Sequence, residues 1–145
     1  MFTTKTLTTN EVLNNVLLSA EDEHRTVYAC KIGQDIHVTL TSKATGRNIH
    51  GFANTTDPAE LLTIAENLPF SKARTIAKDQ NRTTMMPLDF AFDAIALPHI
   101  VEADWGDDDD IIITREDGAT LSIISDEYLD IEDVISQITA FAQAA

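Results

Sequence analysis

TVYACKIGQDIHVTLTSKATGRNIHGFA, residues 26–53, sets the architecture. In Asp35–Thr41 the apolar Ile36, Val38 and Leu40 alternate with polar residues, the two-residue period of a strand with one buried face. Thr26–Ile32 before it and Arg47–Ala53 after Gly46 are further short β-like runs. Together they predict a three-stranded meander whose first hairpin turns at Gly33-Gln34. Counting back from that turn sets Ile32 opposite Asp35 and Cys30 opposite His37, on the face away from Val27, Ala29, Val38 and Leu40.

Helical signals lie on both sides. Thr8 and Glu11 have capping-box spacing, and Val12, Leu13, Val16 and Leu17 recur at helical period, which predicts a helix from residue 9 to about 22. Asp57-Pro58-Ala59-Glu60 is a second helix start, with Leu61, Leu62, Ile64, Ala65 and Leu68 as its buried face and Pro69 as its end. Ser71 is placed to cap a third, short helix carrying Lys72, Arg74, Lys78 and Arg82. Leu88, Phe90 and Phe92 alternate with Asp89, Ala91 and Asp93, which reads as a strand. Ile111–Arg115 and Ala119–Ser125 flank Asp117-Gly118, a hairpin turn. From about Leu129 a final helix buries Ile131, Val134, Ile135, Ile138 and Phe141, with Asp130, Glu132 and Asp133 in its first turn. Strands in runs rather than in alternation with helices predict an α+β fold. The expectation is one domain over residues 1–145, an antiparallel sheet of about five to six strands with helices packed on one face.

The composition agrees with a folded domain: 145 residues, 43% hydrophobic and 23% charged, enough for a core without metal or disulfide. A single cysteine, Cys30, excludes an internal disulfide and fits a reducing compartment. MFTTKTLTTNEV has neither the basic cluster nor the apolar run of a secretory signal, and no later stretch is long enough for a membrane span. A soluble cytoplasmic protein is expected.

The charge is unevenly placed. Residues 1–84 hold nine Lys/Arg against nine Asp/Glu, whereas residues 85–145 hold Arg115 alone against fifteen acids, the whole of the net −14. The densest part is Glu102, Asp104, Asp107, Asp108, Asp109 and Asp110, with Trp105 and Gly106 between. Such a field repels duplex DNA and anionic membranes and attracts a basic partner, raising its on-rate and making it salt-sensitive. The alternative is a solubilising acidic loop.

No motif announces catalysis. Cys30 and His37 are the one candidate nucleophile pair, but neither an oxyanion hole nor a third member is visible, so no catalytic residue is expected. The aspartates lack the glycine and glutamate positions of a calcium loop. The four histidines have no paired spacing for zinc, and no glycine loop cradles phosphate, so no metal or cofactor is implied. Lys72, Arg74, Lys78 and Arg82 are a weak phosphate-contacting segment or an ordinary solvated helix face.

LPFSKAR (Leu68–Arg74) and IIITREDGATLSIISDEYLDIEDV (Ile111–Val134) resemble the two signatures of the prevent-host-death family of antitoxins, a strand entering an S-x-A-R helix and an ITR-x-x-G hairpin ending in S-x-x-x-Y. In that family the signatures lie closer together than here, and the first 65 residues have no counterpart. The resemblance implies a small antitoxin that binds a toxin, often basic, and its own operator.

These features predict a non-enzymatic inhibitor whose acidic half docks on a basic surface of a nucleic-acid-handling protein. A nuclease immunity protein, an antitoxin or a phage-type anti-defence protein such as an anti-CRISPR would meet this description. Same-side carboxylates in extended chain recur at about 6.8 Å, near two phosphate steps of about 3.4 Å, which permits nucleic-acid mimicry. Glu102, Asp104 and the four aspartates would carry the charge, with Trp105 as the apolar anchor or as a core plug. The rival reading is a small acidic secretion-type chaperone or adaptor, a possible homodimer, holding a client on its sheet.

Overall fold

The computed structural model describes residues 2–144. It has the α+β architecture expected, with antiparallel pairing in every ladder. Packing groups the chain into two compact units, Met1–Leu68 and Pro69–Ala145.

The first unit contains β1 (Thr3–Thr4), α1 (Thr9–Leu13), β2 (Val16–Glu21), β3 (Arg25–Ile32), β4 (Asp35–Ser42), β5 (Asn48–Ala53) and α2 (Pro58–Glu66). The meander is present in the expected register, Ile32 opposite Asp35 and Cys30 opposite His37, and it forms the β3-β4-β5 side of a five-stranded sheet ordered β1 to β5. Gly33, at φ 62°, supplies the positive dihedral that the two-residue turn requires. Leu18, Ala20, Val27, Ala29, Val38 and Leu40 fill the inner face, and α2 brings Leu61 and Ala65 to the core, capped by Asp57 as its sequence indicates.

The long first helix expected over residues 9–22 is not formed. Its capping box is real, but α1 stops at Leu13, buries nothing, and leaves Val12 and Leu13 exposed. Asn15 turns the chain at φ 62°, a conformation asparagine tolerates, and Val16–Glu21 becomes a strand paired with β3 on one side and β1 on the other. Ladder pairing on both edges outweighs the helical period of four apolar residues.

The second unit contains α3 (Ser71–Asp79), β6 (Thr84–Met85), two 3₁₀ turns (Pro87–Asp89 and Ala91–Ala96), β7 (Ile100–Trp105), β8 (Asp110–Arg115), β9 (Thr120–Ile124), β10 (Leu129–Asp130) and α4 (Ile131–Gln143). Strands β7-β8-β9 make one sheet and β6-β10 a two-stranded ladder. Its core joins Phe70, Met85, Phe90, Ile111 and Ile113 with Ile131, Val134, Ile135 and Ile138 of α4. The last hairpin and helix are as the sequence predicts. Arg115 and Ala119 close the turn, Gly118 sits at φ 88°, and the Asp130 carboxylate caps α4 by accepting the Asp133 amide at 3.0 Å.

Two expectations fail here. Leu88–Phe92 is not a strand: Phe90 and Ala91 are both buried, as are Ala94, Ile95 and Ala96, a pattern that tight 3₁₀ turns satisfy and two-residue alternation does not. Ser71 is not the cap of α3. Phe70 occupies that position at φ 65°, its ring buried against Phe90 at 6.4 Å, and its amide donates to the Asp93 carboxylate instead.

Burial raises the Asp93 pKa to about 6, and the Phe70 amide and Lys72 only partly offset it. Because the folded value lies above the usual carboxylate range, the neutral acid favours the fold at low pH, and that contribution is lost as pH rises through about 6. Asp93→Asn keeps an acceptor for Phe70 and carries no charge. Its melting temperature should therefore gain on the parent's between pH 4 and pH 7, and parallel curves would show that Asp93 is not desolvated.

Candidate interface on the acidic hairpin

The acidic cluster is the end of a β-hairpin, a feature the sequence did not disclose. Glu102, Asp104 and Trp105 lie on β7, Asp107, Asp108 and Asp109 form the connecting loop, and Asp110 opens β8. Pairing of Glu102 with Thr114, Asp104 with Ile112 and Trp105 with Ile111 fixes which side each faces. Ala103, Ile111 and Ile113 are buried on one face, so Glu102 and Asp104 project from the other, where both are exposed.

Asp110 differs from its neighbours. Its backbone carbonyl accepts the Gly106 amide at 2.9 Å, and its carboxylate accepts the Ser122 hydroxyl across β8 and β9. A Cβ at position 106 would lie 2.1 Å from Asp110 Oδ1, so any larger residue there would have to displace the Asp110 carboxylate. Asp109, at φ 57°, has its carbonyl tied to the Ser125 hydroxyl. The loop is therefore anchored at its C-terminal end, while the side chains of Asp107, Asp108 and Asp109 remain exposed.

Trp105 is on the same face as the core residues, opposite to Glu102 and Asp104, and is 52% exposed. Its ring meets Phe92 at 5.5 Å and 63°. It is thus neither a buried plug nor part of the acidic face: it sits at the rim of the core, one strand's thickness from the carboxylates.

Other acids of the C-terminal half have local partners. Asp117 takes two hydrogen bonds from Arg115, which holds its carboxyl down at about 2, and Glu116 pairs with His99 at 2.5 Å. Glu132 pairs with Arg74, and Asp130 caps α4. By contrast, none of the six carboxylates from Glu102 to Asp110 stands in an ion pair among the described residues. The sequence located this charge but gave no sign that it rides on a hairpin, half on its strands and half on its loop.

Cys30 and His37 are cross-strand neighbours on the outer face of the first unit's sheet, and the imidazole packs on Phe52 at 4.9 Å. Tyr28, Ile32 and Phe52 on that face are exposed, and the Tyr28 hydroxyl donates to Glu11 of α1. Cys30→Ala should preserve the protein's biological effect, and a thiol-specific reagent should label Cys30 no faster than an ordinary free thiol. Fast labelling near neutral pH together with loss of effect in the variant would establish a nucleophile here.

No protein-family model, no curated protein and no solved structure matches this chain. No helix among the described residues is long and apolar enough to cross a membrane.

Proposed function

We propose that the protein is a non-enzymatic inhibitor that uses its acidic hairpin to occupy a basic surface of a nucleic-acid-handling protein. The observation that supports this is six carboxylates on one closed hairpin with no cation among the described residues to neutralise them. Like charge held on a closed hairpin, three carboxylates on its strands and three on the loop anchored between them, has little backbone freedom to lose on binding, so more of its attraction is retained as affinity. Extended β7 sets Glu102 and Asp104 at the two-residue spacing that can stand in for phosphates. Trp105 faces the other way, so a partner engaging both wraps the border of the sheet at β7, with the ring as apolar anchor.

The resemblance to prevent-host-death antitoxins fits the same reading, a basic toxin being one such partner. Ser71-Lys72-Ala73-Arg74 opens α3, and the ITR-x-x-G segment forms the β8–β9 hairpin.

A second reading has its own observation. Tyr28 at 43%, Ile32 at 59% and Phe52 at 71% exposure leave an apolar strip on the outer face of the five-stranded sheet, where a chaperone would hold a client. Salt separates the two. Partners captured from cells at low salt should leave the inhibitor as salt rises through a few tenths molar, where screening shortens to within about 10 Å. Partners that stay bound at high salt would favour the client-holding sheet.

A further inference from the structure

Arg82 follows α3 by three residues, and its Nε is buried without a hydrogen-bond partner among the described residues. A buried donor with no acceptor is costly, and in a native fold it calls for a water, an ion or a ligand. Beside it opens a cavity of about 340 Å³, with Arg74, Arg82, Asp130 and Glu132 as its charged walls and Ala77 and Ile131 as apolar lining. The other charges are engaged. Arg74 gives Nε and Nη2 to the two oxygens of Glu132 at 2.9 and 3.0 Å, and Asp130 accepts the Asp133 amide as the cap of α4. Of the wall charges, Arg82 and Asp130 stand in none of the described ion pairs; Asp130 sits at the positive end of the α4 dipole, which partly offsets it, so Arg82 is the one cation of the wall outside an ion pair.

We propose that this cavity binds a small oxyanion, a phosphate or carboxylate group on a compact apolar body, through the Arg82 guanidinium. The planar fork of arginine matches both groups, and an oxyanion supplies the acceptor and the negative charge that Arg82 lacks. The volume lies at the lower end of small-molecule pockets, and Ala77 and Ile131 offer the apolar body a surface. Because Nε is closed to solvent, binding turns the Arg82 side chain towards the cavity. The site lies among α3, the Thr83 segment and the start of α4, and shares no residue with the acidic hairpin.

The Nε–H of Arg82 can be followed by ¹⁵N-correlated proton NMR and assigned by its loss in R82K. The full chain is titrated with sodium phosphate and with sodium butyrate, each against sodium chloride at matched ionic strength. The expected result is a shifted, more slowly exchanging Arg82 Nε–H, with the Thr83 and Ile131 amides shifting along the same titration. R82Q should bind about tenfold more weakly or worse, the loss of one charge-assisted contact. Should R82Q not fold, R82K, which keeps the charge without the fork, should still show weakened amide shifts. A response to phosphate alone or butyrate alone supports the site and identifies the headgroup. Responses no different from chloride overturn it.

Discussion

Ile138→Ala should cost the second unit about 2–5 kcal/mol, the range for deleting a fully buried aliphatic side chain. Ile138 has no exposed surface and lies in the core with Ile111, Ile113 and Phe90. The stripe Ile131, Val134, Ile135, Ile138 belongs to a 13-residue helix, too short to persist alone in water. Truncation after Asp130 removes the whole stripe and also the Asp133 amide that Asp130 caps. The truncated chain should lose the cooperative melting of residues 69–145, read by amide exchange on Ile111 and Ile113. Retained protection there would show α4 to be a detachable arm and the hairpin to stand without it.

The second large effect concerns binding rather than folding. Asp107→Asn, Asp108→Asn and Asp109→Asn together remove three exposed charges while sparing Asp110, whose carboxylate holds Ser122. Association with the basic protein that co-purifies at low salt should slow about tenfold, because steering scales with the field at the encounter face. The melting temperature should hold or rise slightly, since self-repulsion is relieved and asparagine suits the positive φ at position 109. Unchanged association kinetics would move the interface elsewhere. A collapse in stability would instead make these side chains structural.

Local chemistry made much of this fold legible. The Gly33-Gln34 and Asp117-Gly118 turns, the Asp57 cap and the α4 stripe each state their structure within a few residues, and the structure has them. What the sequence hid depends on distant partners. Val16–Glu21 is a strand because β1 and β3 flank it, although its apolar spacing also suits a helix. Ile100–Trp105 is a strand because it pairs with β8, while its own residues read as an acidic run. The site was legible as charge and illegible as geometry: nothing local separates Asp110, which is tied to Ser122, from Asp107, or places Trp105 on the face opposite Asp104. Arg82 looked like one more solvated cation of a basic helix, and only burial of its Nε distinguishes it.

Strand β7 has one more property. It borders its sheet, and among the described residues no further strand pairs with it, so a second chain would approach it edge-on. Two copies meeting there would bring Glu102 and Asp104 close to their own images. The repulsion discourages this pairing whatever the carboxylates bind. The salt that strips off a basic partner also mutes this repulsion, so the liberated protein would be most prone to pair with itself under the conditions used to purify it.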